Sequence, residues 1–261
     1  MLKGKEKENN MKFIPYAWSF ANIADRLYGE ISSILKDRDI IPIEYHIDRG
    51  YIAIGEEDIV ISYQGSKEFK DWLSDADLYP LKGGMEAAYD LIKNGRSAQD
   101  VLHHSGILKE GKWGRGIIHD GFYTAWRGFK PKIYAQFKDL NRNKPVKVFG
   151  HSRGGTIAEL TARHIKKNLG FKDVSFVGFG NPRIGISKYR DEYNKLGIDA
   201  TNVRNGIDIV SCLPYKAMGF RHVGKMKRIK YNFFHNIARW NKFKDHFGWS
   251  YTRGIKKKWG E

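Results

Sequence analysis

The sequence predicts an α/β protein whose central sheet is mostly parallel and carries helices on both faces. Short apolar runs typical of strands alternate with stretches of helical spacing along most of the 261 residues. A glycine-rich turn at 150–155 joins one of these apolar runs to one of the helical stretches. No internal repeat, low-complexity linker or clear domain boundary interrupts the alternation, so the length fits one large domain.

The N-terminal region divides into a tail and a helical segment. Residues 1–11 are almost wholly polar and predict a disordered tail, which leaves a single domain over 12–261. Apolar side chains at helical spacing predict a largely helical segment over 15–36, with Pro15 in its first turn.

The remaining elements follow from the same two periodicities. Strands are predicted, in chain order, at 51–54, 59–63, 146–149, 174–179, 200–204 and 220–224. Helices are predicted at 67–75, at 85–93, at 122–140 with a kink at Pro131, and at 156–169, where Gly170 fits a C-cap. The glycine-rich stretch 80–116 is predicted to be an excursion from the sheet.

The chain is strongly basic, with 46 Lys and Arg against 29 Asp and Glu, a net charge of +17. The excess is densest at 225–230 and 253–258. Two interpretations remain open: a solvated lysine-rich surface, or attraction to a polyanion, either anionic lipid headgroups or nucleic acid. The sequence contains no recognisable nucleic-acid motif, no zinc-ligand spacing and no Walker-type loop, so we expect no specific nucleic-acid partner, metal or cofactor. The oligomeric state has no signature in the sequence.

Cysteine usage and hydropathy bear on the compartment. Cys212 is the single cysteine, which excludes an internal disulfide and favours a reducing compartment. No N-terminal apolar stretch resembles a signal peptide, and no run approaches the roughly 18 apolar residues of a membrane span. We therefore expect a cytoplasmic protein, or one released without a recognisable signal peptide, and no transmembrane segment.

The turn Gly150-His151-Ser152-Arg153-Gly154-Gly155 follows an apolar strand and precedes a helix. This Gly-x-Ser-x-Gly pattern in strand–turn–helix context is typical of a nucleophilic serine at the top of a sheet. Gly150 and Gly154 leave room for the backbone to close the turn, where a side chain would collide with a neighbouring strand or helix. The start of the helix beside Ser152 supplies N–H groups suited to a developing oxyanion.

A nucleophilic serine requires a base, and the base requires an orienting acid. The downstream acids include Asp191, Glu192, Asp199, Asp208 and Asp245. Asp208 is favoured because it lies in a turn after a predicted strand. The histidines that follow it are His222, His235 and His246. Spacing alone does not choose among these three.

Six blocks of the sequence, in order, resemble those of the class 3 lipases, a family that includes the fungal triacylglycerol lipases. The similarity covers about 51–251, most of the chain. The blocks are Tyr63-Gln64-Gly65-Ser66 with Asp71-Trp72-Leu73 after it, His119-Asp120-Gly121-Phe122, Gly150 to Gly155, Phe179 to Gly185, Asn205 to Val210, and Asp245-His246.

The resemblance implies an α/β-hydrolase fold and assigns residue roles. It implies that Ser152 is the nucleophile, Asp208 the acid and His246 the base, with His222 as the second choice of base. The backbone N–H groups of Ser66 and Arg153 are the implied oxyanion hole. A short helix over 67–76 is the implied lid, with Phe69, Trp72 and Leu73 able to share one apolar face.

This chain differs from the family pattern at two positions near the site. Gln64 replaces the usual arginine beside the oxyanion block, and Arg153 replaces the usual leucine after the serine. Two interpretations of the Arg153 guanidinium remain open: it favours anionic substrates, or it forms a salt bridge at the entrance to the helix.

The resemblance implies a serine esterase or lipase that hydrolyses carboxylic esters of lipids, either acylglycerols or phospholipids, through an acyl-enzyme. The alternative is a non-catalytic scaffold, in which a basic hydrolase-like domain binds anionic membrane or nucleic acid. The occurrence of all three triad residue types in the order of the α/β-hydrolases favours the enzyme.

Overall fold

The computed structural model describes residues 13–65, 108–110, 117–229 and 244–260. The predicted tail at 1–11, the helices predicted at 67–75 and 85–93, most of the excursion at 80–116, and His235 lie outside the described residues. The division into a tail and a single domain therefore stays a prediction.

The described strands form one large sheet and one small sheet. In chain order they are β1 (Asp39–Tyr45), β2 (Asp48–Ile54), β3 (Ile59–Tyr63), β4 (Leu108–Glu110), β5 (Ile117–His119), β6 (Val146–His151), β7 (Val174–Phe179), β8 (Gly185–Ile186), β9 (Asp199–Asn205), β10 (Phe220–Arg221) and β11 (Lys225–Ile229). The large sheet has the order β1-β2-β3-β6-β7-β9-β11, and the small one has the order β10-β8-β5-β4.

The large sheet is mostly parallel, which confirms the predicted fold class. Its first two joins, β1 with β2 and β2 with β3, are antiparallel. The four joins from β3 through β6, β7 and β9 to β11 are parallel. The carboxyl ends of these strands therefore meet at one edge, and Ser152 directly follows β6 there.

Helices cover both faces of this sheet. They are α1 (13–22), α2 (Tyr28–Ile34), α3 (Asp120–Phe137), α4 (Arg153–Lys167), α5 (Ser187–Asn194) and α6 (Gly248–Trp259). Successive strand residues point to opposite faces. Thus Ile59 and Ile61 of β3 pack with α3 and α4 in one core, whereas Val60 packs with α1 and α6 in the other. No helix in the described ranges has the length and hydrophobicity of a membrane-spanning segment.

The segment predicted to be largely helical over 15–36 contains two helices, α1 and α2, with a turn between them. The chain leaves α1 through a turn in which the Arg26 N–H donates to the Ile23 carbonyl. The hydroxyl of Tyr28, at the start of α2, donates to a Glu44 carboxylate oxygen at 3.1 Å and lies 3.2 Å from the Gly50 carbonyl. The contacts of α2 with β1 and β2 thus separate it from α1, although the helical spacing of apolar residues continues through the turn.

The run predicted as a strand over 220–224 contains only the two residues of β10, and β11 begins directly after it at Lys225, in the other sheet. β10 belongs to the small sheet, and β11 starts the edge of the large one. Between them Gly224 has a φ of 58°. A Cβ at Gly224 would lie 2.1 Å from the Ala200 carbonyl oxygen, so only glycine allows the chain to pass there.

Candidate active site

The backbone at Ser152 is held in a sharp turn between β6 and α4. Its φ is 56° and its ψ is −130°. A positive φ is unfavourable for a residue with a side chain, at a cost of about 1–3 kcal/mol. Hydrogen bonds fix the turn, since the Ser152 N–H donates to Phe179 O at 2.8 Å and the Gly155 N–H donates to Ser152 O at 3.0 Å. The side chain lies at the carboxyl edge of the sheet, where open α/β sheets bind ligands.

Two glycines make this turn possible. A Cβ at Gly150 would lie 2.4 Å from the Gly154 carbonyl oxygen. A Cβ at Gly154 would lie 2.3 Å from the Gln64 carbonyl oxygen. Both contacts are with backbone, which cannot move aside without displacing β3 or α4. The collisions are therefore of the kind expected from the sequence.

His246 lies between Ser152 and Asp208. Its Nε2 is 2.8 Å from Ser152 Oγ. Its Nδ1 is 3.0 Å from Asp208 Oδ2 and 3.1 Å from Asp208 Oδ1. A carboxylate only accepts, so Nδ1 carries the proton and Nε2 is left to accept from the serine hydroxyl. All three side chains are buried.

Asp208 is stabilised as a carboxylate by its neighbours. Its Oδ1 accepts the Val210 N–H at 2.9 Å, and its Oδ2 accepts the Tyr251 hydroxyl at 2.6 Å. Burial by itself would raise the pKa of this carboxyl. The charge and hydrogen bond of His246, with the bonds from Tyr251 and Val210, outweigh burial and hold the pKa below its usual value. Asp208 is therefore ionised near neutral pH.

Gly180 lets the chain after β7 pass close to this pair. Its φ is 61°, and a Cβ there would lie 2.8 Å from Asp208 Oδ2 and 3.1 Å from His246 Nδ1. Any side chain would push between the acid and the base. The glycine of the Phe179 to Gly185 block thus has a direct role in the geometry of the site.

The other candidate acids and bases occupy different positions. His222 donates from Nε2 to the Ser211 carbonyl at 2.8 Å, and burial lowers its pKa to about 4. It therefore contacts the loop after Asp208 but makes no described bond to Ser152. Asp245 accepts the Ile207 N–H at 2.9 Å, which ties the segment before His246 to the turn before Asp208.

His151, next to the nucleophile, packs against the other histidine of the site. Its ring stacks on that of His246 with centroids 4.9 Å apart and planes at 27°. Its Nε2 donates to the His246 carbonyl at 2.8 Å. Burial, and then the charge of His246, lower the pKa of His151 to about 3. His151 is thus neutral near neutral pH and adds no charge beside His246.

The Arg153 guanidinium forms an ion pair with Asp48 of β2. Its Nη2 donates to Asp48 Oδ2 at 2.7 Å, in an ion pair with side chains only 17% and 7% exposed. Of the two interpretations of this residue, the salt bridge is the one that the structure contains. The backbone N–H of Arg153 begins α4, and the first N–H groups of a helix have no acceptor within it.

The oxyanion and lid residues that follow β3 lie outside the described residues. These are Ser66, Phe69, Trp72 and Leu73. The chain just before them is well placed, because a Cβ at Gly65 would lie 3.4 Å from Ser152 Cβ. The roles of Ser66 and of the helix at 67–76 stay predictions.

A cleft of about 250 Å³ opens onto Ser152 and His246. Its remaining lining comes from α1 and the turn after it, from the ends of β3 and β6, and from the start of α6. These residues are Trp18, Ala21, Asn22, Asp25, Gln64, Gly65, His151, Phe247 and Gly248. Among the described residues, no group of three or more His, Cys, Asp or Glu is arranged to hold a metal ion.

Sequence reasoning missed Tyr251 and Trp18 as parts of the site. Tyr251 donates to Asp208 from the first turns of α6, and Trp18 of α1 stacks on Tyr251 with ring centroids 5.5 Å apart. The aromatic character of the segment after His246 was the only signal for Tyr251. Trp18 gave none, since it lies far from every motif in the sequence.

Several curated proteins are similar to this chain. One is the secreted mono- and diacylglycerol lipase 2 of Gibberella zeae, 25% identical over 198 residues, or 70% of this chain and 46% of that protein. Another is phospholipase A1-II 4 of Oryza sativa subsp. japonica, 28% identical over 191 residues, or 68% of this chain and 44% of that protein. The chain spans less than half the length of these relatives.

The first of these relatives contradicts the expected compartment. It is named as a secreted protein, so the prediction of a cytoplasmic location is wrong. The prediction relied on Cys212 being the single cysteine. A protein with no disulfide can be stable in either kind of compartment when its core is large, so cysteine usage does not separate them here.

Solved structures and a protein family agree with the fold. The triacylglyceride lipase of Rhizomucor miehei has a TM-score of 0.65 at 21% identity, over 87% of this chain and 82% of that one. Lipase II of Rhizopus niveus has a TM-score of 0.66 at 18% identity, over 86% and 82% of the two chains. Residues 60–218 match the family described as Lipase (class 3). The chain therefore belongs to the class 3 lipase family and has its α/β-hydrolase fold.

Proposed function

We propose that this protein hydrolyses carboxylic esters of lipids through an acyl-enzyme on Ser152. One observation carries the proposal. The hydrogen bonds from Ser152 through His246 to Asp208 are continuous, and the serine and histidine line an open cleft. This arrangement performs nucleophilic catalysis without a metal or cofactor.

Each residue has a distinct step in this mechanism. Ser152 Oγ attacks the ester carbonyl while His246 Nε2 accepts its proton. The tetrahedral intermediate then collapses, and His246 returns the proton to the leaving alcohol, so that the acyl group stays on Ser152. Water then attacks the acyl-enzyme by the same steps, and the carboxylic acid is released from Ser152. Asp208 accepts the hydrogen bond from the Nδ1 proton throughout and stabilises the imidazolium that forms in each half of the cycle.

The oxyanion that forms in each half of the cycle needs donors beside Ser152. The N–H of Arg153 is adjacent to the serine and lies at the start of α4, where the helix dipole is positive. We assign the second donor to the N–H of Ser66, with its hydroxyl as a third. Loss of one such donor typically costs on the order of 3 kcal/mol of transition-state stabilisation.

The substrate class is a lipid ester, either an acylglycerol or a phospholipid. The names of the two curated relatives span both, a mono- and diacylglycerol lipase and a phospholipase A1. The Arg153 side chain is paired with Asp48 and so gives no reason to prefer the anionic substrate.

Release of fatty acid from each substrate tests the proposal. We expect the wild-type chain to hydrolyse diacylglycerol or phosphatidylcholine, together with short-chain p-nitrophenyl esters, and Ser152→Ala to hydrolyse none of them. A folded wild-type chain that cleaves no ester would favour the scaffold. Activity on p-nitrophenyl esters and on polysaccharide acetyl esters, but not on lipid, would keep the mechanism and overturn the substrate class.

A further inference from the structure

The outer face of α6 combines one large aromatic residue with three cations. Trp249, Arg253, Lys256 and Lys257 are all exposed. Their spacing of four, seven and eight residues places them on one side of the helix. The opposite side, Ser250, Tyr251, Gly254 and Ile255, is buried. No acidic residue occurs anywhere in α6.

Contacts along α6 place this helix at the edge of the sheet where the cleft opens. Near its start the Tyr251 hydroxyl accepts the N–H of Asn205, the last residue of β9. Near its end the Lys258 ammonium donates to the carbonyl of Arg228, close to the end of β11. The helix therefore stays beside the carboxyl ends of two parallel strands along its length, and Ser152 lies at the same edge.

The outer face of α6 is continuous with the mouth of the cleft. Phe247 and Gly248, which lead into the helix, line the cleft. Phe247 is 40% exposed and Trp249 is 52% exposed. Two large aromatic side chains thus face solvent within one turn of the active-site opening.

The three cations of this face differ in their contacts from the lysine that follows them, Lys258. Among the described residues, none of Arg253, Lys256 and Lys257 takes part in an ion pair. By contrast Lys258 donates to the Arg228 carbonyl and lies 4.7 Å from the centre of the Trp259 ring. The cations of α6 that make no such contact thus lie on the same outer face as Trp249.

We propose that Phe247, Trp249, Arg253, Lys256 and Lys257 form a docking face for an anionic lipid surface. Tryptophan and other amphipathic aromatics favour the headgroup level of a bilayer, and clustered cations are attracted to anionic headgroups. Docking through this face turns the cleft mouth, bordered by Phe247, towards the lipid. The proposal concerns binding, and so goes beyond the proposed hydrolysis.

Vesicle binding of the full chain tests this docking face. The Ser152→Ala chain is used so that the vesicles are not consumed, and binding is therefore scored independently of whether the protein is an esterase. We expect binding to vesicles of phosphatidylcholine with about 30% phosphatidylserine, little binding to pure phosphatidylcholine, and weakening as salt rises, because the Debye length is about 8 Å at physiological ionic strength.

Two matched sets of charge substitutions separate the face from net charge. The test set is Arg253→Gln, Lys256→Gln and Lys257→Gln. The control set is Arg127→Gln, Lys130→Gln and Lys138→Gln, which removes the same three charges from exposed positions on α3 and at its end. Each cation near the surface contributes roughly fivefold in affinity, so we expect the test set to weaken binding on the order of a hundredfold. We expect the control set to weaken it only a few-fold.

The aromatic contribution has its own matched pair, Trp249→Ala and Tyr134→Ala. Tyr134 is 55% exposed on α3, a helix on the other face of the sheet. We expect Trp249→Ala to reduce vesicle binding at least fivefold and Tyr134→Ala to leave it unchanged. In the chain that retains Ser152, turnover of a soluble ester should be the same for both. Equal losses in the two charge sets, salt-independent binding, or binding to an acidic protein or nucleic acid instead of vesicles would overturn the proposal.

Discussion

The Tyr251 hydroxyl donates to Asp208 Oδ2 at 2.6 Å and is the shortest of the described contacts to that carboxylate. The same residue packs against Trp18, Phe179 and His151. One side chain therefore connects the helix after His246 to Asp208. We infer that Tyr251 is a positioning residue, which holds Asp208 ionised and in line with His246.

Replacement of Tyr251 by Phe keeps the ring and removes the bond. Because that bond helps hold the pKa of Asp208 low, its loss should raise this pKa. Hydrogen bonds to charged groups contribute about 1.5–3 kcal/mol, so kcat/KM should fall by roughly 10-fold or more. The acid limb of the pH–rate profile should also move to higher pH. An unchanged acid limb with reduced stability would reduce Tyr251 to a packing role.

Replacement of His151 by Phe tests the bond to the His246 backbone. The aromatic stacking is retained, while the Nε2–H that reaches the His246 carbonyl is lost. A neutral hydrogen bond contributes about 1 kcal/mol, so we expect kcat to fall about fivefold as His246 becomes less well placed. KM for a soluble ester should not change. A rise in KM with constant kcat would show that His151 shapes the cleft instead.

Arg153→Leu should separate stability from catalysis. The substitution leaves Asp48 buried without its partner, and an unpaired buried charge is strongly destabilising. We expect a loss of about 1–3 kcal/mol in the free energy of unfolding by denaturant titration. Asp48→Asn in the same chain should restore part of it. Ester turnover by the folded variant should stay near wild type, since the proposed oxyanion donor is the backbone N–H of this residue. A large loss of kcat would mean that the guanidinium takes part in the reaction.

Glu159, fully buried in α4, should make stability depend on pH. Burial raises its pKa to about 8, and the lowering effect of the Tyr189 hydroxyl offsets only part of this rise. The folded state then binds the proton more tightly than the unfolded state, whose pKa is near 4.5. The contribution of this proton to the free energy of unfolding is fully present below about pH 4.5 and is lost as pH rises towards 8. Between these two pH values the free energy of unfolding should fall by up to about 1.4 kcal/mol per pH unit.

Glu159→Gln should abolish this component, because glutamine is neutral at every pH. The free energy of unfolding, measured between pH 5 and 8, should therefore be flatter in Glu159→Gln than in the wild type. The exposed Glu56→Gln serves as the control and should keep the wild-type slope. Parallel curves for all three proteins would show that Glu159 is ionised in the folded state.

The parts of the fold that the sequence predicts well are those with strong local patterns. β3, β6 and β7 are mostly apolar, because parallel strands are buried on both faces. The predicted span of β7 matches the observed one. The serine turn is equally local, since its glycines and its nucleophile lie within six residues.

The parts that were missed are fixed by tertiary contacts. β11 has one buried residue, Ile229, and the rest of it reads as a basic run. It is a strand because it pairs in parallel with β9. Likewise β1 contains Pro42, which is tolerated because β1 has only β2 as a described neighbour. Neither signal is visible in periodicity.

The site divides in the same way. Ser152 follows from its own motif, whereas spacing left three histidines open, and only the family resemblance favoured His246. The structure shows why spacing could not decide. His246 is placed by contacts from distant segments, including the His151 bond to its carbonyl and the Asn205 amide, which donates to the carbonyl of Asp245 at 3.2 Å.

Covalent labelling of Ser152 is the direct test of its proposed role as a nucleophile activated by His246. The wild-type chain, Ser152→Ala, His246→Ala and the exposed control Ser33→Ala are treated with a fluorophosphonate, and the modified peptide is identified by mass spectrometry. We expect one adduct on Ser152 in the wild type and in Ser33→Ala, none in Ser152→Ala, and greatly slowed labelling in His246→Ala, because triad members act as a unit. A wild-type chain that stays unlabelled while folded, or a His246→Ala chain labelled at the wild-type rate, would contradict this role.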